Sequence, residues 1–86
     1  MTNESEFKNR DRFIQLGISI STLRKIKGMS QEQLAEKAQI SRTFLSIIES
    51  PNLSTKFSLE VFFNIADALE IEPFDLLNTI NFFKTY

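Results

Sequence analysis

Cysteine and histidine are both absent from these 86 residues. Their absence removes thiolate and imidazole chemistry together, and with them nearly all zinc and transition-metal sites, so neither a metal nor a cofactor is expected. No disulfide can staple the fold. The usual general acid/base is missing too, and a carboxylate-only catalyst would need a cleft that a small helical chain rarely builds, so the chain does not read as an enzyme. Glycine and proline are scarce, with two of each. No apolar run approaches the roughly 18 residues needed to span a bilayer, and the N-terminal MTNESEFKNRDR has no apolar signal-peptide core. A cytoplasmic protein without a membrane segment is the expectation.

What is present is enough apolar material for one compact core: hydrophobic residues make up 42% of the chain and nine of them are Phe. A chain of this length supports a single domain. The net charge of −1 hides an asymmetry, because residues 1–42 carry eight Lys/Arg against five Asp/Glu and residues 43–86 carry two against six. Such a charge dipole can orient a small protein toward a polyanion, although an unevenly charged solvated surface would look the same.

The periodicity of apolar residues divides the chain into five helices with no strand signal. Residues 1–11 are polar apart from Phe7 and read as a flexible arm. Leu16, Ile20, Leu23 and Ile26 recur at helical spacing until Gly28, which follows a basic last turn of Arg24, Lys25 and Lys27. Ser30-Gln31-Glu32-Gln33 is a capping box that starts a second helix through Leu34, Ala35 and Ala38 to about Gln39. Ser41 caps a third helix, from Arg42 to about Ser50, which Pro51 stops. After a polar loop, PNLSTKF, Ser58 caps a fourth helix with an apolar stripe of Leu59, Phe62, Phe63, Ala66 and Leu69. Pro73 then opens a fifth.

The small and apolar positions Leu34, Ala35, Ala38, Ile40, Leu45 and Ile48 have the spacing of a helix-turn-helix. The third helix would then be pinned to the core by Phe44, Leu45 and Ile48. At about 100° per residue it offers Arg42, Thr43, Ser46, Ile47 and Ser50 on the opposite arc. A helix exposed along its length in this way fits a major groove about 12 Å wide, and a plain corner in an all-helical domain is the rival reading.

At this point the sequence resembles a known family. LRKIKGMSQEQLAEKAQISRTFLSIIES, residues 23–50, is similar to the helix-turn-helix core of the phage-repressor and Cro family, also called the XRE family. FSLEVFFNIADALEIEPFDLL is similar to that family's last two helices, and the whole resemblance covers about residues 13–78. It implies an all-α, five-helix, lambda-repressor-like DNA-binding domain over residues 12–78. Such a domain usually acts as a homodimer on double-stranded operator DNA with its third helix in the major groove. No small-molecule ligand is implied.

The resemblance also implies roles for individual residues. Arg42 and Thr43 would read base edges, with Ser46 and Ile47 on the next turn; Arg42 could take a guanine in a bidentate contact. Gln31 would meet a phosphate at the positive end of the second helix. Phe44 would flank the backbone or simply pack at the edge of the core. Asn52 and Lys56 lie in a loop that the family often uses for phosphates, and an ordinary solvated Lys56 fits equally well. Arg24 and Glu49 match a largely buried ion pair whose role is structural.

Three departures from the family pattern stand out. Gln39 occupies a turn position that is usually Gly, Ser50-Pro51 replaces a glycine-containing turn, and Phe57 replaces a loop proline. Arg42 is moreover the one cation of the third helix, so a monomer should hold phosphates weakly and a dimer should matter. Leu77, Ile80, Phe82, Phe83 and Tyr86, on the fifth helix and the tail at residues 79–86, make a candidate dimer interface; a tail folded back on the first helix is the alternative. A small transcription regulator, a repressor in sense, is the leading expectation. A DNA-binding antitoxin or controller protein of a small operon, or a protein-interaction adaptor with a degenerate helix-turn-helix, are the alternatives.

Overall fold

A computed structural model describes residues 8–53 and 55–84, with side chains described through Thr79. Five helices follow one another: α1 (Arg10–Ile26), α2 (Gln31–Ala38), α3 (Arg42–Glu49), α4 (Leu59–Ala68) and α5 (Pro73–Lys84). No strand occurs among the described residues. The chain is therefore all-α, as its apolar periodicity predicts. Residues 1–7, where the sequence places a flexible arm, lie outside the described residues. The expected start of the tail at residue 79 falls inside α5.

The helix starts obey capping chemistry. Ser30 Oγ accepts from the Gln33 amide at 3.0 Å while Gln33 Oε1 accepts from the Ser30 amide at 2.8 Å, so the expected capping box closes on both sides. Ser41 and Ser58 cap α3 and α4 through the amides of Phe44 and Val61, at 2.9 and 3.1 Å. Each cap satisfies a donor that has no partner within its helix.

Three helices also end alike. After α1, α2 and α4 the chain turns through a left-handed residue, Gly28, Gln39 or Glu70, with φ of 73°, 61° and 58°. The amide of the following residue reaches back to the last turn: Met29 to Arg24 O, Ile40 to Ala35 O and Ile71 to Ala66 O, each at 3.0 Å. These are Schellman turns, whose hydrophobic partner sits directly after the left-handed residue. Met29, Ile40 and Ile71 all pack against the core.

Every helix contributes to a single core. Leu16 and Ile20 come from α1, Leu34, Ala35 and Ala38 from α2, Leu45 and Ile48 from α3, and Leu76 from α5; Phe62, Ile65 and Ala66 of α4 complete it with Leu69. α1 packs on α3 and α5, while α2 packs on α3 and α4. Thr79 Oγ1 lies 2.7 Å from the buried Ser19 Oγ and 2.6 Å from Leu76 O. One hydroxyl proton serves only one of these contacts, so Ser19 donates to Thr79 while Thr79 donates to the Leu76 carbonyl. This hydroxyl chain ties α5 to α1.

Two apolar stripes need correction. On α4 the buried arc is Phe62, Ile65, Ala66 and Leu69, while Leu59 and Phe63 are exposed. Phe63 stands about 100° round the helix from Phe62, so centring the stripe on Ile65 and Leu69 turns it to solvent. Ile26 is also exposed. It belongs to the last turn of α1, about 10 Å along the axis from Ser19. The PNLSTKF loop is less polar than it reads, because Phe57 packs on the core and stands edge-on to Phe13 with ring centroids 5.2 Å apart.

Candidate nucleic-acid interface

α3 is seated by its buried face. Leu45 and Ile48 are in the core and Phe44 packs against it from the side, so of the two roles considered for Phe44 its contacts are with the core. The outer face carries Arg42, Thr43 and Ser46, all exposed, and Ile47, half-buried. The side chains there are short and polar apart from Arg42 and Ile47, which leaves the helix backbone open to close approach by a partner.

A buried ion pair fixes the far end of the same helix. Arg24 Nε and Nη2 donate to Glu49 Oε2 and Oε1 at 2.8 and 3.0 Å, a bidentate geometry, and both residues are only 8% exposed. Arg24 Nη1 donates to the Met29 carbonyl at 2.8 Å, and Gln31 Nε2 donates to Glu49 Oε1 at 3.0 Å. One carboxylate thus gathers the end of α1, the start of α2 and the end of α3. Burial of such charges is tolerable because their hydrogen-bonding capacity is largely used.

Beside this network an open concavity of about 460 Å³ is lined by Arg24, Ser30, Gln31, Glu32 and Arg42. Ser30, Gln31 and Glu32 put the N-terminus of α2 in its wall, and the positive end of a helix favours an anion. Gln31 keeps a second amide proton beyond the one given to Glu49. Arg42 adds a positive charge, Glu32 opposes it, and Arg24 is already neutralised by Glu49. The lining thus sets amide and guanidinium donors against one carboxylate.

The other expected positions are dispersed. Asn52 and Lys56 are exposed in the α3–α4 loop, and the Asn52 backbone amide donates to Ser50 Oγ at 3.3 Å. Leu77 is exposed on α5. Ile80, Phe82 and Phe83 belong to α5 but their side chains lie outside the described residues, as does Tyr86 altogether. Among the described residues no group of carboxylates is placed to hold a metal ion, and no helix is long and apolar enough to cross a membrane.

A family model described as a helix-turn-helix domain matches residues 17–81. The chain belongs to the helix-turn-helix domain family. That assignment bears out the resemblance to the phage-repressor and Cro type carried by SQEQLA and ISRTFLS. Over 63 residues the chain is 38% identical to the HTH-type transcriptional regulator SinR of Bacillus licheniformis, covering 73% of this chain and 56% of that protein. It therefore spans about half the length of that curated relative. Among solved structures, the restriction-modification controller protein C.AhdI from Aeromonas hydrophila is similar with a TM-score of 0.69 and 33% identity, covering 74% of this chain and 94% of that one. C.Esp1396I bound to a 19 base pair DNA duplex is similar with a TM-score of 0.78 and 25% identity, covering 87% and 97%. The named relatives are regulators rather than enzymes.

Within this helix-turn-helix chain, one positioning residue and two positioning bonds escape a reading of periodicity and motif. A Cβ on Gly17 would overlap the carbonyl oxygen of Ile48, so the glycine lets α1 and α3 touch backbone to backbone. The signal was a glycine in the middle of a helical pattern, which costs about 1 kcal/mol unless something comes close. The bond from Gln31 to Glu49 and the anchoring of Arg24 on the Met29 carbonyl had no sequence signal, since both depend on how three helix ends meet.

Proposed function

We propose that this chain binds double-stranded DNA sequence-specifically as a homodimeric transcription regulator, working in the cytoplasm where its DNA lies. α3 enters the major groove. The observation that carries this reading is the construction of α3: one face is locked by Leu45, Ile48 and the Arg24–Glu49 pair, and the other is free along its length. On that face Arg42 and Thr43 read base edges, Ser46 meets a base or a phosphate, and Ile47 meets a thymine methyl. Gln31 meets a phosphate at the concavity, and Asn52 and Lys56 meet the backbone beyond it. Family membership and the DNA duplex held by C.Esp1396I support the same reading.

Gel-shift titration against the DNA upstream of the chain's own gene tests it. Arg42→Ala should weaken binding by about 1–3 kcal/mol, roughly 5- to 150-fold, and relax preference at one base pair. Thr43→Ala should act at a neighbouring pair. Unchanged shifts in both variants would defeat the assignment of α3, whereas a wild type that shifts no DNA would favour the adaptor reading. Within the DNA reading, a controller role is favoured by the match to C.AhdI, which covers 94% of that chain. An adjacent restriction endonuclease gene would be expected in that case, and a toxin gene in the antitoxin case.

A further inference from the structure

The solvent side of α4 carries an apolar pair set among carboxylates. Leu59 is 68% exposed and Phe63 is 44% exposed, and residues four apart on a helix are neighbours on one face. Glu60 lies three residues before Phe63 and Asp67 four residues after it, so both of these exposed carboxylates border the pair. Glu70, also exposed, follows in the left-handed turn at the end of the helix. α4 itself contains no Lys or Arg. The Phe63 ring leans on the core residue Phe62, with ring centroids 5.8 Å apart, and a ring already held in this way costs a partner little to order.

The fold leaves this face uncovered, because α4 meets α2 and α5 while its core side chains are Phe62, Ile65 and Ala66. Charge decides what can cover it. DNA phosphates and an anionic membrane would meet Glu60, Asp67 and Glu70 with like charge. A second copy joined across a two-fold axis at this face would set the same carboxylates against each other. The complement is a helical segment with two apolar side chains one turn apart and Lys or Arg beside them. We propose that α4 docks a basic amphipathic helix of another protein, whose apolar side chains cover Leu59 and Phe63 while its cations pair with Glu60 and Asp67. The docking face is separate from the outer arc of α3, so the inference goes beyond the DNA reading and does not depend on it.

Nuclear magnetic resonance titration of the full chain with three synthetic peptides of about 18 residues, long enough to form a helix, tests the docking face. The first peptide carries a leucine stripe at helical spacing flanked by lysines, the second has glutamate for every lysine, and the third has serine for every leucine. The first should bind at micromolar concentration and shift the amides of residues 59–67, and the other two should bind at least about 10-fold more weakly. Phe63→Ser should weaken the first peptide at least about 10-fold, with a helical spectrum by circular dichroism that matches the wild type. Glu60→Lys combined with Asp67→Lys should make the glutamate peptide the tighter ligand. Phe74→Ser, on the exposed side of α5, should leave binding of the first peptide unchanged. Equal binding of the first and third peptides, shifts centred on another helix, or undiminished binding by Phe63→Ser would each overturn the proposal. So would sedimentation showing that Phe63→Ser dissociates a dimer, because a second copy would then be the occupant.

Discussion

Gly17 of α1 lies against the carbonyl oxygen of Ile48 in α3 so closely that a methyl group on Gly17 would overlap that oxygen. The obstacle is backbone, so no rotamer change can relieve it. Gly17→Ala should therefore destabilise the protein by about 1–2 kcal/mol, even though alanine gains up to about 1 kcal/mol over glycine in a helix interior. Urea unfolding measures it. An increase in stability would mean that α1 and α3 do not meet at this point. Because the same contact sets the height of α3, DNA affinity should fall along with stability.

The Arg24–Glu49 pair is a second constraint on α3. Arg24→Met or Glu49→Leu alone strands a charge in a site that is mostly closed to water, and each should cost about 3–5 kcal/mol. The double variant strands none and should cost less than either single one. A double-mutant cycle in urea would expose this non-additivity, and simple addition of the two losses would contradict it. Weak DNA binding by an Arg24 variant accordingly reports folding first.

The five helices, their serine caps, the capping box and the ion pair were legible because each is written locally or in the family motif. Ser30 and Gln33 announce their own bonds, and a left-handed Gln39 follows from a turn that usually holds glycine. The α4 stripe was misplaced because Leu59 and Phe63 are as apolar as Ile65, and only packing decides which arc faces inward. The roles of Phe57, Gly17 and the Ser19–Thr79 hydroxyl pair depend on contacts between distant segments. Nothing within one segment encodes them.

Gln39 and Glu70 hold left-handed backbone positions that an L side chain adopts at a cost of about 1–2 kcal/mol. Glycine adopts them without that penalty, and neither position lies in a helix interior. Gln39→Gly and Glu70→Gly should each stabilise the protein by about 1 kcal/mol, less what the more flexible unfolded chain takes back. The two sites lie in different turns, so the gains should add. Thermal unfolding of the single and double variants checks both points, and a loss in either single variant would mean that its side chain makes a compensating contact.

Ile47 separates recognition from packing. Phe44, three residues earlier and about 60° away around α3, packs against the core, whereas the half-buried Ile47 is outside the set of side chains that do so. An isoleucine at the edge of the arc proposed to face DNA offers no hydrogen bond, and the base feature that would complement it is the thymine methyl in the major groove. Ile47→Ala should then cost about 1 kcal/mol of discrimination at one A·T pair, roughly fivefold, with a stability change of no more than about 1 kcal/mol. Competition gel shifts with single-base operator variants, run beside urea unfolding, measure both. A large stability loss with unchanged base preference would instead make Ile47 a cover for Phe44, leaving base reading on α3 to Arg42, Thr43 and Ser46.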